Sequence, residues 1–266
     1  MRDNPNKLKN ALIWGLSPSR WVKDNFDIEP DPWQRDLLDG NYPRVLLNCC
    51  RQSGKSTTCS LIATHTGIFK PKSLTIIVSP SQRQSAELFK KCTDFLSQLD
   101  EKPAISEETK TQLQLENKSR IVSVPGSEAT IRGYSAPDLI LIDESARVPD
   151  EIYESVRPML AASQGGRLMA LSTPFGRRGW WWRAYMDGGP GWHRIEINAD
   201  MCPRISRDFL EQERATLPEA TYAQEYGCSF EDSAGRLFSS VFIDQMFRQD
   251  AEIIDIPDYG TGFGLS

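Results

Sequence analysis

Two stretches of this chain carry residue types that could do phosphate chemistry together. The first is Cys50-Arg51-Gln52-Ser53-Gly54-Lys55-Ser56-Thr57, set between an apolar run at Val45-Leu46-Leu47 and a segment of helical character reaching Ile62. A strand that ends in a sharp turn and opens a helix aims backbone N–H groups at an anion. In such a loop Lys55 would reach the β- and γ-phosphates of a nucleotide and the Ser56 hydroxyl would ligate Mg2+, with Arg51, Gln52, Ser53, Gly54 and Thr57 completing the cradle. The pattern G-x-x-x-x-G-K-[ST] wants a glycine where this chain has Cys49. Gly-Lys-Ser alone also fits an ordinary strand–turn–helix, so the rest of the chain must decide.

The second stretch is Asp143-Glu144, directly after four large aliphatic residues, Leu139-Ile140-Leu141-Ile142. Carboxylates at the C-terminal end of a buried strand sit where open α/β sheets bind ligands. Asp143 would hold Mg2+ and Glu144 would orient and activate the attacking water. Each motif predicts the other, which lifts both above a chance strand end. Ser172-Thr173-Pro174 closes a later strand, and its hydroxyls could sense a γ-phosphate; a plain turn has the same composition. Arg132 precedes the carboxylate strand and could stabilise a phosphoryl transition state, as could Arg51 within the loop, although an isolated arginine is ordinarily a surface residue. Gln34, after Trp33, can offer both a donor and an acceptor to an adenine edge, or be a polar helix residue. Arg177-Arg178-Gly179-Trp180-Trp181-Trp182-Arg183 suits a nucleic-acid groove, and suits helix packing slightly better.

Composition limits the alternatives. The 266 residues allow one large domain or two small ones, and the net charge of -5 confines any nucleic-acid binding to a local patch. Six cysteines form no CxxC pair and there are two histidines, which points to free buried thiols and away from zinc. The polar start lacks a secretory h-region, and no apolar run is long enough for a membrane span.

Patterning supplies the elements. Strands are expected over residues 45–48, 74–78, 139–142, 167–171 and 193–197, with a hairpin of 112–115 and 119–124 turning at Asn117. Helices are expected over 56–66, 150–162, 180–186, 207–216 and 219–226, and Leu88, Phe89, Cys92, Phe95, Leu96 and Leu99 form a stripe behind an N-cap at Ser81. Leu8, Leu12, Ile13 and Leu16 have helical spacing. Residues 101–110 read as a polar loop and 129–132 as a short extended piece. Alternating strands and helices argue for an α/β fold with a mainly parallel sheet covered on both faces.

Taken together these motifs resemble the ATPase domain of the large subunit of viral DNA-packaging terminases. Cys50-Arg51-Gln52-Ser53-Gly54-Lys55-Ser56-Thr57 is similar to that family's deviant Walker A, which carries Arg-Gln and commonly lacks the first glycine. Trp33-Gln34-Arg35 resembles its adenine motif, Ser79-Pro80-Ser81-Gln82-Arg83-Gln84 the segment after its second core strand, and Arg132-Gly133 its arginine-finger region. Leu139 to Glu144 resembles its Walker B, and Leu171-Ser172-Thr173-Pro174-Phe175-Gly176 its coupling motif. Tyr222 to Tyr226, then Phe230, Gly235 and Phe238, look like the close of the domain.

The resemblance implies a P-loop (ASCE-type) ATPase over residues 1–240, an extra strand between the Walker A and Walker B strands, and a small helical lid near 205–232. Residues 241–266 would be a tail toward a nuclease domain that the chain lacks, so nuclease activity is not expected. It implies ATP and Mg2+ as ligands, Arg132 acting in trans, and a homo-oligomeric ring, a pentamer, translocating double-stranded DNA into a procapsid. Portal protein and terminase small subunit would be partners, in the cytoplasm of an infected bacterium. The competing readings are a superfamily-2-like helicase or translocase, for which a second set of motifs is missing, and a nucleotide-binding assembly module without turnover.

Overall fold

Among the described residues one eight-stranded sheet organises the fold, in the order β3-β4-β5-β2-β6-β7-β1-β8. The strands are β1 (Arg44–Cys49), β2 (Leu74–Ser79), β3 (Ile105–Glu108), β4 (Gln112–Leu115), β5 (Arg120–Pro125), β6 (Leu139–Asp143), β7 (Arg167–Ser172) and β8 (His193–Ile197). From β5 to β8 all neighbours run parallel; β3, β4 and β5 are joined antiparallel. The computed structural model describes residues 5–125, 131, 133–163 and 165–231. Arg132, residues 126–130 and everything assigned to 232–266 lie outside the described residues.

Strand alternation builds two cores. Val45, Leu47, Ile77, Leu139, Leu141, Met169 and Leu171 face one layer of helices; Leu46, Ile76, Val78, Ile140, Ile142, Leu168 and Ala170 face the other. Both faces are buried, so these strands read as continuous apolar runs and not as alternating ones. The first layer contains α2 (Pro18–Phe26), α3 (Pro32–Asp39), α4 (Lys55–Phe69) and α5 (Gln82–Gln98). The second contains α6 (Asp150–Val156), which passes into a 3-10 turn at Arg157–Ala162, and α7 (Gly179–Asp187). Pro158 ends the α-helical hydrogen bonding there, because it supplies no N–H. Helices α8 (Arg207–Thr216) and α9 (Glu219–Glu225) occupy the expected 207–226 region.

Strand β7 lies between β1 and β6, so the extra strand expected between phosphate loop and carboxylates is present. Register then does the positioning. Asp143 pairs with Leu171, Leu171 with Leu47, and Ser172 with Asn48. Parallel strands at the same level deliver the phosphate loop, the carboxylates and Ser172-Thr173 to one edge of the sheet.

Two local expectations change, and a third element forms as expected with its leucines outward. Ile105–Glu108, read as loop, is an edge strand whose side chains are all exposed. Without a buried side, its sequence has no alternation to display; pairing with β4 makes it a strand. Ile131 is helical and fully buried, not extended. Helix α1 (Pro5–Leu16) forms as expected, but Leu8, Leu12 and Leu16 are 64%, 61% and 85% exposed. The inward side is instead at Trp14, which packs on the core, and at Gly15, where an added Cβ would lie 3.3 Å from the Phe69 ring.

The tryptophan run resolves toward packing. Trp180 and Trp181 are buried; Trp180 stacks on Tyr153 and donates its indole N–H to the Val148 carbonyl at 3.0 Å.

Candidate functional site

Cys49, the residue in the glycine's place, is the last residue of β1. It is fully buried and in register with Ile197 of β8. An extended residue accommodates a Cβ, so the loop needs no glycine there. The turn itself uses left-handed backbone at Gln52 (φ 63°) and Gly54 (φ 92°). Gly54 is constrained twice, since a Cβ on it would lie 2.9 Å from Gln34 Nε2. Burial pushes the Cys49 thiol up to about 12 and raises Cys50 further, so neither is a thiolate at neutral pH. All six cysteines are buried and unbridged, with Cys50 and Cys202 sulfurs 3.7 Å apart.

Helix α4 starts at Lys55, whose ammonium is folded against the loop's own Cys49 and Cys50 carbonyls at 3.4 and 3.3 Å. Ser56 and Thr57 are half-buried at the same N-terminus, and the Ser53 hydroxyl is buried without a partner among the described residues. Arg51 forms an ion pair with Glu225 of α9 at 2.5 Å, and its N–H reaches the Glu225 carbonyl at 3.2 Å. The phosphate loop is thereby tied to the helical pair.

Asp143 is 8% exposed, and burial together with the neighbouring Glu144 charge raises its carboxyl to about 6, with Lys55 opposing. It accepts the Glu144 N–H at 3.0 Å. Glu144 has left-handed backbone (φ 50°) and pairs with Arg147 at 3.0 Å. Ser172 accepts the Ala146 N–H at 3.2 Å, and buried Thr173 follows it.

Arg51, Gln52, Lys55, Gln84, Glu144, Arg147 and Thr173 line one cavity of about 470 Å3. A larger cleft of about 660 Å3, under α8 and Tyr222, contains no phosphate-loop residue. Of the residues singled out from sequence, the structure brings Arg51, Gln52, Lys55, Glu144 and Thr173 into the cavity. Ser53, Gly54, Ser56, Thr57, Asp143 and Ser172 belong to the same loop and strand ends. Gln34 stands apart: its carbonyl accepts the Asp31 N–H at 2.9 Å in a capping box, and its amide faces Gly54. Arg132 lies outside the described residues.

The donor set fits a magnesium-bound triphosphate. A buried carboxylate with a raised pKa and one protein hydrogen-bond donor is stabilised by a cation. Among the described residues no group of three or more His, Cys, Asp or Glu could hold a metal alone. Mg2+ in phosphate sites keeps waters and takes one or two protein ligands plus phosphate oxygens, so Ser56 and Asp143 would be enough to hold one.

Residues 46–241 match the family described as terminase large subunit, T4likevirus-type, N-terminal. The chain belongs to this family. The large terminase subunit of Thermus phage G20c is 25% identical over 231 residues, covering 72% of this chain and 46% of its own length. This terminase chain therefore spans about half the length of that curated relative. The Thermus phage P74-26 large terminase ATPase domain superposes with a TM-score of 0.70 at 21% identity, covering 81% of this chain and all of that one. The large terminase of a thermophilic bacteriophage, solved in complex with ATP-gamma-S, gives 0.58 at 12% identity, covering 81% and 52%. At these identities the structural likenesses speak to the fold.

Sequence reasoning missed Arg147 and Arg204. Arg147 could have been found three residues after Glu144, where a helical turn puts a side chain within reach. Arg204 had no signal. It pairs bidentately with Asp31 at 3.1 and 2.8 Å and donates to the Ser53 carbonyl at 2.8 Å, joining positions remote in sequence. Arg204→Ala is expected to destabilise the protein by about 1 kcal/mol, the scale of a partly exposed charged hydrogen-bond set. Thermal unfolding would measure it, and Arg204→Lys should recover little because lysine cannot make the bidentate pair. A Tm equal to wild type for both variants would contradict this account.

Proposed function

We propose that this terminase chain is an ATP·Mg2+-hydrolysing motor domain that drives double-stranded DNA into a procapsid. The observation that carries the reading is the cavity shared by Lys55, Glu144, Arg51 and Thr173, with Asp143 buried beside it. Lys55 would leave the loop carbonyls to take the β- and γ-phosphates, and the loop N–H groups and Ser53 hydroxyl would bind phosphate oxygens. Ser56 and Asp143 would hold Mg2+, which when bound neutralises charge on the β- and γ-oxygens. Glu144 would orient and polarise the attacking water, and Ser172-Thr173 would register the γ-phosphate. The thermophilic-phage terminase solved with ATP-gamma-S supports the nucleotide class.

Arg51 is engaged by Glu225, which suits loop shaping, and leaves Arg132 as the finger acting on a neighbouring subunit in a pentameric ring. Portal protein and small subunit would complete the assembly. Gln34 would read adenine through its amide. Residues 205–232 act as the lid in this reading.

The test is ATP turnover by the chain with and without double-stranded DNA, and with Lys55→Ala. Wild type should turn over ATP; Lys55→Ala should lose nucleotide affinity and turnover together, each by about tenfold or more, the scale of a lost charge-assisted contact. Nucleotide binding without turnover, at high protein concentration and with DNA, would favour an assembly module instead. For the trans finger, mixing Arg132→Ala with Glu144→Ala subunits should restore part of the rate, and no rescue would remove Arg132 from that role.

A further inference from the structure

Glu144 does not stand alone at the strand end. It opens a 3-10 turn over Ser145–Arg147, closed by Arg147 N–H to the Glu144 carbonyl at 2.8 Å. The Arg147 guanidinium returns to the Glu144 carboxylate, Nη1 to Oε2 at 3.0 Å, with both side chains roughly three-quarters buried at 28% and 27% exposure. The same guanidinium lies 4.4 Å from the centroid of Phe175, in the loop after β7. Arg178 takes the ring too, at 4.8 Å. The turn is held a second time where Ser172 accepts the Ala146 N–H at 3.2 Å. The carboxylate turn and the Ser172–Phe175 loop are thus fastened by a hydrogen bond and by an arginine sitting on an aromatic face.

We propose that Arg147 is a positioning residue for Glu144, and that Phe175 sets where Arg147 holds the carboxylate. A carboxylate that polarises water must keep one oxygen aimed at it. The guanidinium pins Oε2 and leaves Oε1 for the water. A planar guanidinium resting on a ring has a defined orientation, which an ammonium lacks. Any displacement of the Phe175 loop, whose strand end carries Ser172 and Thr173, then displaces Arg147 and withdraws the carboxylate. Arg147 links the γ-phosphate end of the site to the carboxylate side chain itself, while the Ser172–Ala146 hydrogen bond links it to the backbone of the turn.

This inference rests on the hydrolytic reading of Glu144, and the test separates the two. Steady-state kcat and KM for ATP are measured on the full chain for Arg147→Ala, Arg147→Lys, Phe175→Leu, the Arg147→Ala/Phe175→Leu pair, and Glu144→Gln. Arg147→Ala should lower kcat by about 10- to 100-fold, the range of lost outer-shell partners, with KM within about threefold of wild type. Arg147→Lys should recover part of kcat, which a merely misfolded Ala variant could not explain. Phe175→Leu should lower kcat alone but add nothing in the Arg147→Ala background. A KM that rises as kcat stays constant would make Arg147 a phosphate ligand and overturn the proposal. So would an unchanged or increased kcat, or full additivity with Phe175→Leu. If Glu144→Gln itself leaves turnover intact, the hydrolytic reading fails; if it abolishes turnover while Arg147→Ala does not change kcat, only the present inference fails.

Discussion

Glu144→Gln is expected to lower ATP turnover by about 10^2- to 10^4-fold, the usual contribution of a positioned proton acceptor. Nucleotide affinity should change little, because Lys55 and the loop N–H groups remain. The substitution keeps size and one oxygen, so the Arg147 contact loses charge but not shape. It also removes the like charge beside Asp143, one of the two causes that raise that carboxyl. Magnesium binding should therefore be preserved. Single-turnover kinetics with ATP, beside equilibrium binding of a non-hydrolysable analogue, separates chemistry from binding. A variant that hydrolyses at the wild-type rate would take Glu144 out of the chemistry, and one that loses binding in parallel would make it a ligand.

Asp143→Asn should have opposite effects on stability and on activity. In the metal-free protein the Asp143 carboxyl is raised from 3.8 to about 6 by burial and by Glu144. A raised acid binds its proton more tightly folded than unfolded. Its contribution is fully present below the unfolded value, and is lost as pH rises through about 6. At pH 8 the ionised group therefore costs the fold on the order of 2–3 kcal/mol, by the conversion of about 1.4 kcal/mol per unit. Asparagine retains the oxygen that accepts the Glu144 N–H and carries no charge. Metal-free Asp143→Asn should melt several degrees above wild type at pH 8, with the gap narrowing toward pH 5. With Mg2+ and a nucleotide analogue the order should reverse, since wild type gains binding energy that the variant cannot. Turnover should fall to near background. Melting curves at the two pH values, with and without ligand, check each sign. A metal-free variant that melts lower at pH 8, or a gap that widens on acidification, would refute the buried-charge account.

The two effects belong to one trade. A carboxylate held out of water beside a second carboxylate destabilises the fold, and is the arrangement a bound cation would relieve. Lys55, resting on the Cys49 and Cys50 carbonyls, shows the complementary arrangement for the other sign of charge.

Much of this was legible in the chain itself. Strands buried on both faces write themselves as apolar runs, so β1, β2, β6 and β7 could be read directly. Phosphate-loop and carboxylate motifs are local, because each is a strand end and the turn after it. Their order along the chain pointed to the family. Hydrophobic spacing at α1 was equally clear as a helix, but spacing cannot say which side is covered, and Leu8, Leu12 and Leu16 proved exposed. Edge strand β3 left no pattern because its side chains bury nothing.

What only the tertiary structure decided concerns residues that act across the sheet edge. The family resemblance already accommodated Cys49 in the glycine's place, and the structure gave the physical reason: its backbone is extended and paired with β8. Arg51 pairs with Glu225 while still lining the cavity, a contact that depends on α9 folding back over the loop. Arg204 meets Asp31 and Ser53 through packing of the loop before α8 against the start of α3, and Phe175 meets Arg147 because β6 and β7 end side by side; no local window contains either contact. By itself the sequence determined the strand ends and the candidate nucleotide residues placed on them, since such motifs need particular side chains at fixed local spacing. Packing decided which charges hold those side chains in place, because ion pairs between distant segments exist only once the strands have brought them to one edge.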